Sequence, residues 1–179
     1  MSVVINRKQV AYRGRAFTVF TENITLPNGK TTELDVLKHP GAAAIVAMDD
    51  PETVVLIRQY RHAIESHIWE IPAGTLDPGE SPLSCAKREL AEETGFSAAT
   101  WEKLGEIVPV PGYSNERIHL YLASDLDAGA QALDEGEWLE VHRVAVSDAL
   151  EMIRTGEIQD GKTIAGLFMA RRAMGRQKA

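Results

Sequence analysis

The sequence is short of several things. It has one cysteine, Cys85, so no disulfide can form within the chain. It has no excess of basic residues. Nineteen Lys and Arg stand against 26 Asp and Glu, a formal net charge of −7. That argues against broad binding to a nucleic-acid backbone, which leaves a basic footprint. It leaves a small polyphosphate open, because a metal ion can bridge acidic side chains to an anion. No apolar run approaches the roughly 18 residues of a membrane-spanning helix. The opening residues lack the charged-then-apolar layout of a signal peptide. There is no internal repeat, low-complexity tract or long linker. The expectation is a soluble, cytoplasmic protein of a reducing compartment, with no nucleic-acid and no membrane partner.

The 179 residues are 44% hydrophobic and 25% charged, ordinary values for a globular chain. A chain of this length buries roughly 70% of its unfolded surface without staples. Residues 1–40 are polar and β-branched. Asn28-Gly29, between Asn23–Leu26 and Thr31–Leu37, is a hairpin signal. They are expected to form an antiparallel β-sheet, too small to be stable alone. Residues 41–179 form the main domain. Ala42–Met48, Thr53–Gln59, Lys103–Val108, Arg117–Ala123 and Trp138–Val146 have strand length and apolarity. Ser81–Thr94 reads as a helix, with Ser81 as N-cap, Pro82 at the first position and Gly95 just past the end. Ser147–Arg154, capped by Ser147, and Asp160–Met174, with Ile164, Leu167 and Phe168 on one side, read as two more. The links at 110–117 and 124–137 carry no helical pattern. The fold class is therefore α/β of the mixed, α+β kind, not a doubly wound parallel sheet.

The most informative stretch is the Gly74–Glu80 loop and the helix that follows it. Residues three and four apart share a helix face, so Glu89, Glu92 and Glu93 converge on one patch. Leu83, Ala86, Leu90 and Thr94 make a second stripe, rotated by about 100°, that can anchor the helix. Like charges on one face repel, and Arg88 offsets only part of this. A solvated acidic face is the plain reading. The alternative is a hard divalent cation, Mg2+ or Mn2+, for which clustered oxygen ligands are suited. Gly74 and Gly79 allow the preceding loop to turn back toward the carboxylates.

These residues resemble the Nudix box, G-x5-E-x7-R-E-U-x-E-E-x-G-U with U a bulky apolar residue. Gly74, Glu80, Arg88, Glu89, Leu90, Glu92, Glu93, Gly95 and Phe96 fill every fixed position. The resemblance implies the Nudix fold, a mixed β-sheet sandwiched between helices. It implies hydrolysis of a nucleoside diphosphate linked to another group. It also implies metal binding by Glu89, Glu92, Glu93 and the carbonyl of Ala73, with Glu80 and Arg88 as structural partners. Around the box, Arg58-Gln-Tyr-Arg61, Trp69-Glu-Ile-Pro-Ala-Gly74 and Pro111-Gly-Tyr-Ser-Asn-Glu116 are similar to the ADP-ribose and nucleoside-diphosphate-sugar pyrophosphatase branch. That branch is typically a homodimer through its N-terminal β-rich segment.

Arg58 and Arg61 are candidates to clamp phosphates, since guanidinium suits phosphate oxygens. On a strand they lie on opposite faces. Arg61, nearer the loop into the box, is the preferred one. Pairing with Glu70 is its alternative role, and Glu70 itself is a candidate acceptor for a base or ribose. Phe17, Phe20 and Trp69 are candidates to stack on a base or to fill the core. Tyr113, on a Pro-Gly loop, either binds substrate or packs. His62, His67 and His119 lack transition-metal spacing. Cys85, one turn before Glu89, reads as an inert thiol.

Ala132–Glu140 is an acidic loop. The resemblance points to Glu135 as the general base, with Glu137 as second candidate and Gly136 as the pivot of a closing motion. The implied reaction uses Mg2+ to neutralise the diphosphate and orient water, and a glutamate to take its proton. ADP-ribose would give AMP and ribose 5-phosphate. The alternatives are a non-catalytic Nudix-fold nucleotide sensor and a dinucleoside polyphosphate or nucleoside triphosphate hydrolase.

Overall fold

The computed structural model describes residues 2–177. They group into two compact units: residues up to Gly41 with Val108–Arg117, and Ala42–Ile107 with the chain from Ile118 onward. In the first unit β1 (Val4–Arg13), β2 (Thr18–Thr25) and β3 (Thr31–Lys38) form an antiparallel sheet in that order. The β2–β3 turn is the one expected from Asn28-Gly29. The Leu26 N–H donates to the Lys30 carbonyl at 2.8 Å, and Gly29 takes φ 81°, a left-handed conformation that glycine enters without strain. The returning segment joins through Leu37 N–H to the Tyr113 carbonyl, 2.7 Å, and His39 N–H to Asn115 Oδ1, 2.8 Å. β1 is exposed along its whole length, including Val4, Ile5, Val10 and Tyr12.

The second unit contains β4 (Ala42–Asp50), β5 (Thr53–Arg61), β6 (Ser66–Glu70), β7 (Ala73–Thr75) and α1 (Pro82–Thr94). β8 (Phe96–Ile107), β9 (Ile118–Ala128), β10 (Leu139–Ala145), α2 (Val146–Thr155) and α3 (Gly161–Gln177) follow. The sheet order is β10-β5-β4-β9-β8, with β6 paired to β5 and β7 to β4. β4 and β9 run parallel and the other pairs antiparallel, so the sheet is mixed.

The near-continuous apolar run of β4 is that of a strand covered on both faces. Ala44, Val46 and Met48 point with Val54, Leu56, Leu120 and Leu122 toward Ala149 of α2 and Leu167 and Ala170 of α3. Ala43, Ile45 and Ala47 point the other way, with Val55 and Tyr121, onto Cys85, Ala86 and Leu90 of α1. The sheet is thus the middle layer, and the acidic helix lies on one side of it. None of the described helices is long and apolar enough to cross a membrane.

Helix α1 is bounded as its sequence dictates. Ser81 accepts a bond from the Ser84 N–H at 3.1 Å, Pro82 opens the first turn, and Gly95 closes the helix at φ 74°. Three local expectations fail. Leu83 does not join Ala86, Leu90 and Thr94 on the buried side of α1 and is 36% exposed. Ser147 does not cap α2: the helix starts at Val146, Ala145 holds the cap position, and Ser147 Oγ bonds Asp148 instead. Phe168 does not share the buried side of α3 with Leu167, and is 51% exposed. Adjacent helix residues are about 100° apart. The buried stripe is centred on Thr163, Leu167 and Ala170, which turns Phe168 outward. Gly166 lies in that stripe, where a Cβ would meet Ile71 Cδ1 at 3.0 Å and Val46 Cγ2 at 3.1 Å.

Candidate active site

The carboxylates of α1 lie under the loop that enters the helix. Glu89 fills the space that a side chain at position 74 would need: a Cβ on Gly74 would fall 1.8 Å from Glu89 Oε1. Burial raises the Glu89 carboxyl above its ordinary range, the Arg88 guanidinium opposes this, and the charges of Glu92 and Glu137 add to it. Glu93 is buried, and its Oε2 accepts the Ala73 N–H at 2.9 Å. Burial pushes its pKa up to about 8. The Ala73 N–H works against that shift, and the negative charges of Glu89 and Glu137 reinforce it. Glu92 is the outermost of the three.

Arg88 ties the box together. It donates from Nε and Nη2 to the two oxygens of Glu80, at 3.0 and 2.9 Å. It donates from Nη1 to Glu89 at 2.6 Å and to Glu92 at 3.0 Å, and from Nη2 to the Thr75 carbonyl at 3.2 Å. The two-point bond holds the Glu80 carboxyl down at about 2. The same bond raises Arg88 further above its ordinary value. Cys85, with Sγ 3.5 Å from the Gly74 carbonyl, is pushed up to about 12 by burial and by the Glu89 charge, so it stays a thiol.

With Arg88 bridging Glu89 and Glu92, no three His, Cys, Asp or Glu side chains form a closed cage among the described residues. The donor set nonetheless fits a divalent cation. It is all oxygen, as hard cations prefer. One guanidinium faces Glu80, Glu89 and Glu92 together. The cradle over Glu89 also exists only because residue 74 has no side chain.

Arg61 and Arg58 separate onto opposite faces of β5. Arg61 Nε donates to Glu70 Oε2 at 2.7 Å, so the Arg61–Glu70 pair forms. Burial opposes the Arg61 charge, but Glu70 outweighs it and raises the guanidinium's pKa. Arg58 lies 3.9 Å from Glu140 and 6.0 Å from the Trp69 ring centroid. Trp69 also meets His142 edge-on at 4.8 Å between ring centroids, so its surroundings are those of packing. Phe17, 38% exposed, and Tyr113, 58% exposed, belong to the first unit. Phe20 lies there too, with Lys8 Nζ 4.2 Å over its ring.

The acidic loop is anchored to α1. Gly129 N–H donates to the Gly95 carbonyl at 2.6 Å, Gln131 Nε2 to the Glu93 carbonyl at 2.6 Å, and Ala132 N–H to the Glu92 carbonyl at 2.9 Å. A turn follows in which Glu137 N–H donates to the Asp134 carbonyl at 3.0 Å and Gly136 takes φ 92°. The charge of Glu137 bears on both Glu89 and Glu93. Glu135 is exposed on the same turn.

Sequence reasoning found the start of α3 but missed the contacts made there. Lys162 donates to Glu70 Oε1, Asp160 accepts from Thr163, and Thr163 Oγ1 accepts the Ile71 N–H at 2.9 Å. The only local signal was Asp160 ahead of a helix, which marks a cap and not a tie to a strand 90 residues earlier.

A mixed sheet between helices, with an acidic helix entered through a glycine loop, defines a Nudix-fold protein. Residues 38–167 match the NUDIX domain, and the chain belongs to the Nudix hydrolase family. An ADP-ribose pyrophosphatase of Bacillus subtilis (strain 168) is 38% identical over 158 residues, 87% of this chain and 85% of its own. A GDP-mannose pyrophosphatase of Citrobacter koseri is 37% identical over 161 residues, 80% of this chain and 81% of its own. A crystal structure of an ADP compounds hydrolase superposes with a TM-score of 0.87 at 26% identity, covering 99% of this chain and 96% of its own.

Proposed function

We propose that the protein hydrolyses the diphosphate of ADP-ribose or a related nucleoside diphosphate sugar to a nucleoside monophosphate and a sugar phosphate. The observation that carries this is the convergence of Glu89, Glu92 and Glu93 beneath the Gly74 loop. Likeness to an ADP-ribose pyrophosphatase and a GDP-mannose pyrophosphatase supports the substrate class.

Glu89, Glu92, Glu93 and the Ala73 carbonyl would hold the divalent cation, Mg2+ with Mn2+ as substitute. Its chemistry there is to neutralise diphosphate charge and orient the attacking water. Arg61 binds a phosphate through its terminal nitrogens while Glu70 holds its Nε. Glu137 removes a proton from the water; what supports it over Glu135 is the reach of its charge to Glu89 and Glu93. Gly136 and the tethers at Gly129–Ala132 let the tip of this loop move on a fixed stem. Phe17 and Tyr113, both exposed, keep open the ring faces that stacking on a base requires.

Val4, Ile5, Val10 and Tyr12 of β1 and Leu34 of β3 leave apolar surface on a three-stranded sheet, and a second copy of the chain would cover it. Light scattering should then give twice 19.7 kDa. The single buried free thiol, Cys85, suits the cytoplasm.

The test is a product-resolved assay on ADP-ribose, ADP-glucose, GDP-mannose, UDP-glucose, NADH, a dinucleoside polyphosphate and a nucleoside triphosphate, with and without Mg2+. Mg2+-dependent release of a nucleoside monophosphate, led by one diphosphate sugar, is the expected result. Tight ADP-ribose binding without turnover of anything would overturn the hydrolase reading.

A further inference from the structure

Glu70 ends β6 with 2% exposure, and two cations from distant parts of the chain share its oxygens. Arg61 Nε donates to Oε2 at 2.7 Å, and Lys162 Nζ, from the first turn of α3, donates to Oε1. Lys162 is itself held, with Nζ 3.2 Å from Asp160 Oδ2. The same Asp160 oxygen accepts the Thr163 N–H at 2.9 Å and its hydroxyl at 2.6 Å. Thr163, wholly buried, accepts the Ile71 N–H at 2.9 Å. The first turn of α3 therefore grips both the side chain of Glu70 and the backbone that follows it.

A buried carboxylate needs a partner, but one cation can satisfy it. Two are present, and the second changes the geometry available to the first. A free carboxylate and a guanidinium favour two parallel bonds, which here would consume Nε and a terminal nitrogen. Lys162 on Oε1 fixes the rotation of the Glu70 carboxylate, and in that orientation Glu70 meets Arg61 through Oε2 alone. The bond made is the single one from Nε. The terminal nitrogens of Arg61 have no hydrogen-bond partner among the described residues.

We propose that Lys162 is a positioning residue for the diphosphate: by occupying Glu70 Oε1 it restricts Glu70 to one bond with Arg61 and leaves the terminal nitrogens of Arg61 for phosphate oxygens. The inference rests on the reading of Arg61 as a phosphate ligand. It adds to that reading a residue on another element, 92 positions from Glu70, that acts only through it.

The experiment is a double-mutant cycle on the full chain with K162M, R61A and the pair. It measures kcat and KM for ADP-ribose with Mg2+, and thermal melting without ligand. Lys162→Met keeps the length of the side chain and removes its charge. The expected KM for K162M is about tenfold higher, the scale of one charge-assisted bond. The expected kcat is unchanged, because Arg61 grips the diphosphate in the ground and transition states alike. In the R61A background K162M should change KM no further. A lower melting temperature and lower apparent kcat with KM unmoved would mark Lys162 as merely structural and overturn the proposal. Independent, additive effects on KM would overturn it too, with the reading of Arg61 intact. If R61A alone leaves KM unchanged, the phosphate reading itself fails and the role of Lys162 falls with it. Should K162M not fold, K162A, which also leaves Oε1 without its donor, enters the same cycle under the same criteria.

Discussion

The carboxylate of Glu89 occupies the volume in which a side chain at Gly74 would begin, with Oε1 1.8 Å from the position of the absent Cβ. The atoms in the way belong to the far end of the Glu89 side chain, so the carboxylate, and not the loop backbone, is what gives way. Gly74→Ala should therefore displace Glu89 from its cradle. The expected loss in kcat/KM is about 10²-fold or more, the scale of a misplacement of an ångström at a reacting centre. Circular dichroism should still show a folded protein, and wild-type kinetics in the variant would exclude the cradle as a functional feature.

Glu93 sets a pH dependence with a definite sign. Its carboxyl is raised from 4.5 to about 8 by burial, so the metal-free native state keeps a proton that the unfolded chain releases. Stability from this group is fully present below pH 4.5 and is lost as pH rises toward about 8. Melting of the chelator-treated protein should fall across that window more steeply than melting of Glu93→Gln. Added Mg2+ should remove the difference by supplying counter-charge. The same variant should lose turnover by orders of magnitude. Parallel melting curves for the two proteins would rule out a Glu93 carboxyl raised by burial.

Arg88 makes two parallel bonds to Glu80 and further bonds to Glu89, Glu92 and Thr75. An ammonium is a single point and cannot reproduce that fork. Arg88→Lys should cost about 1.5–3 kcal/mol in urea unfolding, the range of hydrogen bonds to charged groups. An unchanged midpoint would mean that the bonds are replaced by water at no cost.

Glu137 and Glu135 share a turn but differ in electrostatic reach. Glu137→Gln should lower kcat by about 10²–10⁴-fold, the usual contribution of a general base. KM should hold, and Glu135→Gln should stay near the wild-type rate. The reverse pattern would return the base to Glu135.

By itself the sequence determined what local periodicity can encode. Glu89, Glu92 and Glu93 share a face because a helix repeats every 3.6 residues, and Ser81, Pro82 and Gly95 bound that helix through their own backbone preferences. The apolar runs of β4 and β5 marked two strands, and Asn28-Gly29 marked the hairpin. Tertiary structure decided what depends on partners far along the chain. Arg61 is held by Glu70, and Glu70 by Lys162, because α3 lands on the end of β6, which no spacing within either segment announces. The charge of Glu137 reaches the helix because three backbone-directed bonds fix the stem of its loop to the end of α1. Phe168 faces outward because α3 buries its Thr163, Leu167 and Ala170 side, with Gly166 close against Val46 and Ile71. Dihedral preference and helical period are properties of neighbours in sequence. The pairing of a buried charge and the choice of a buried face are properties of neighbours in space.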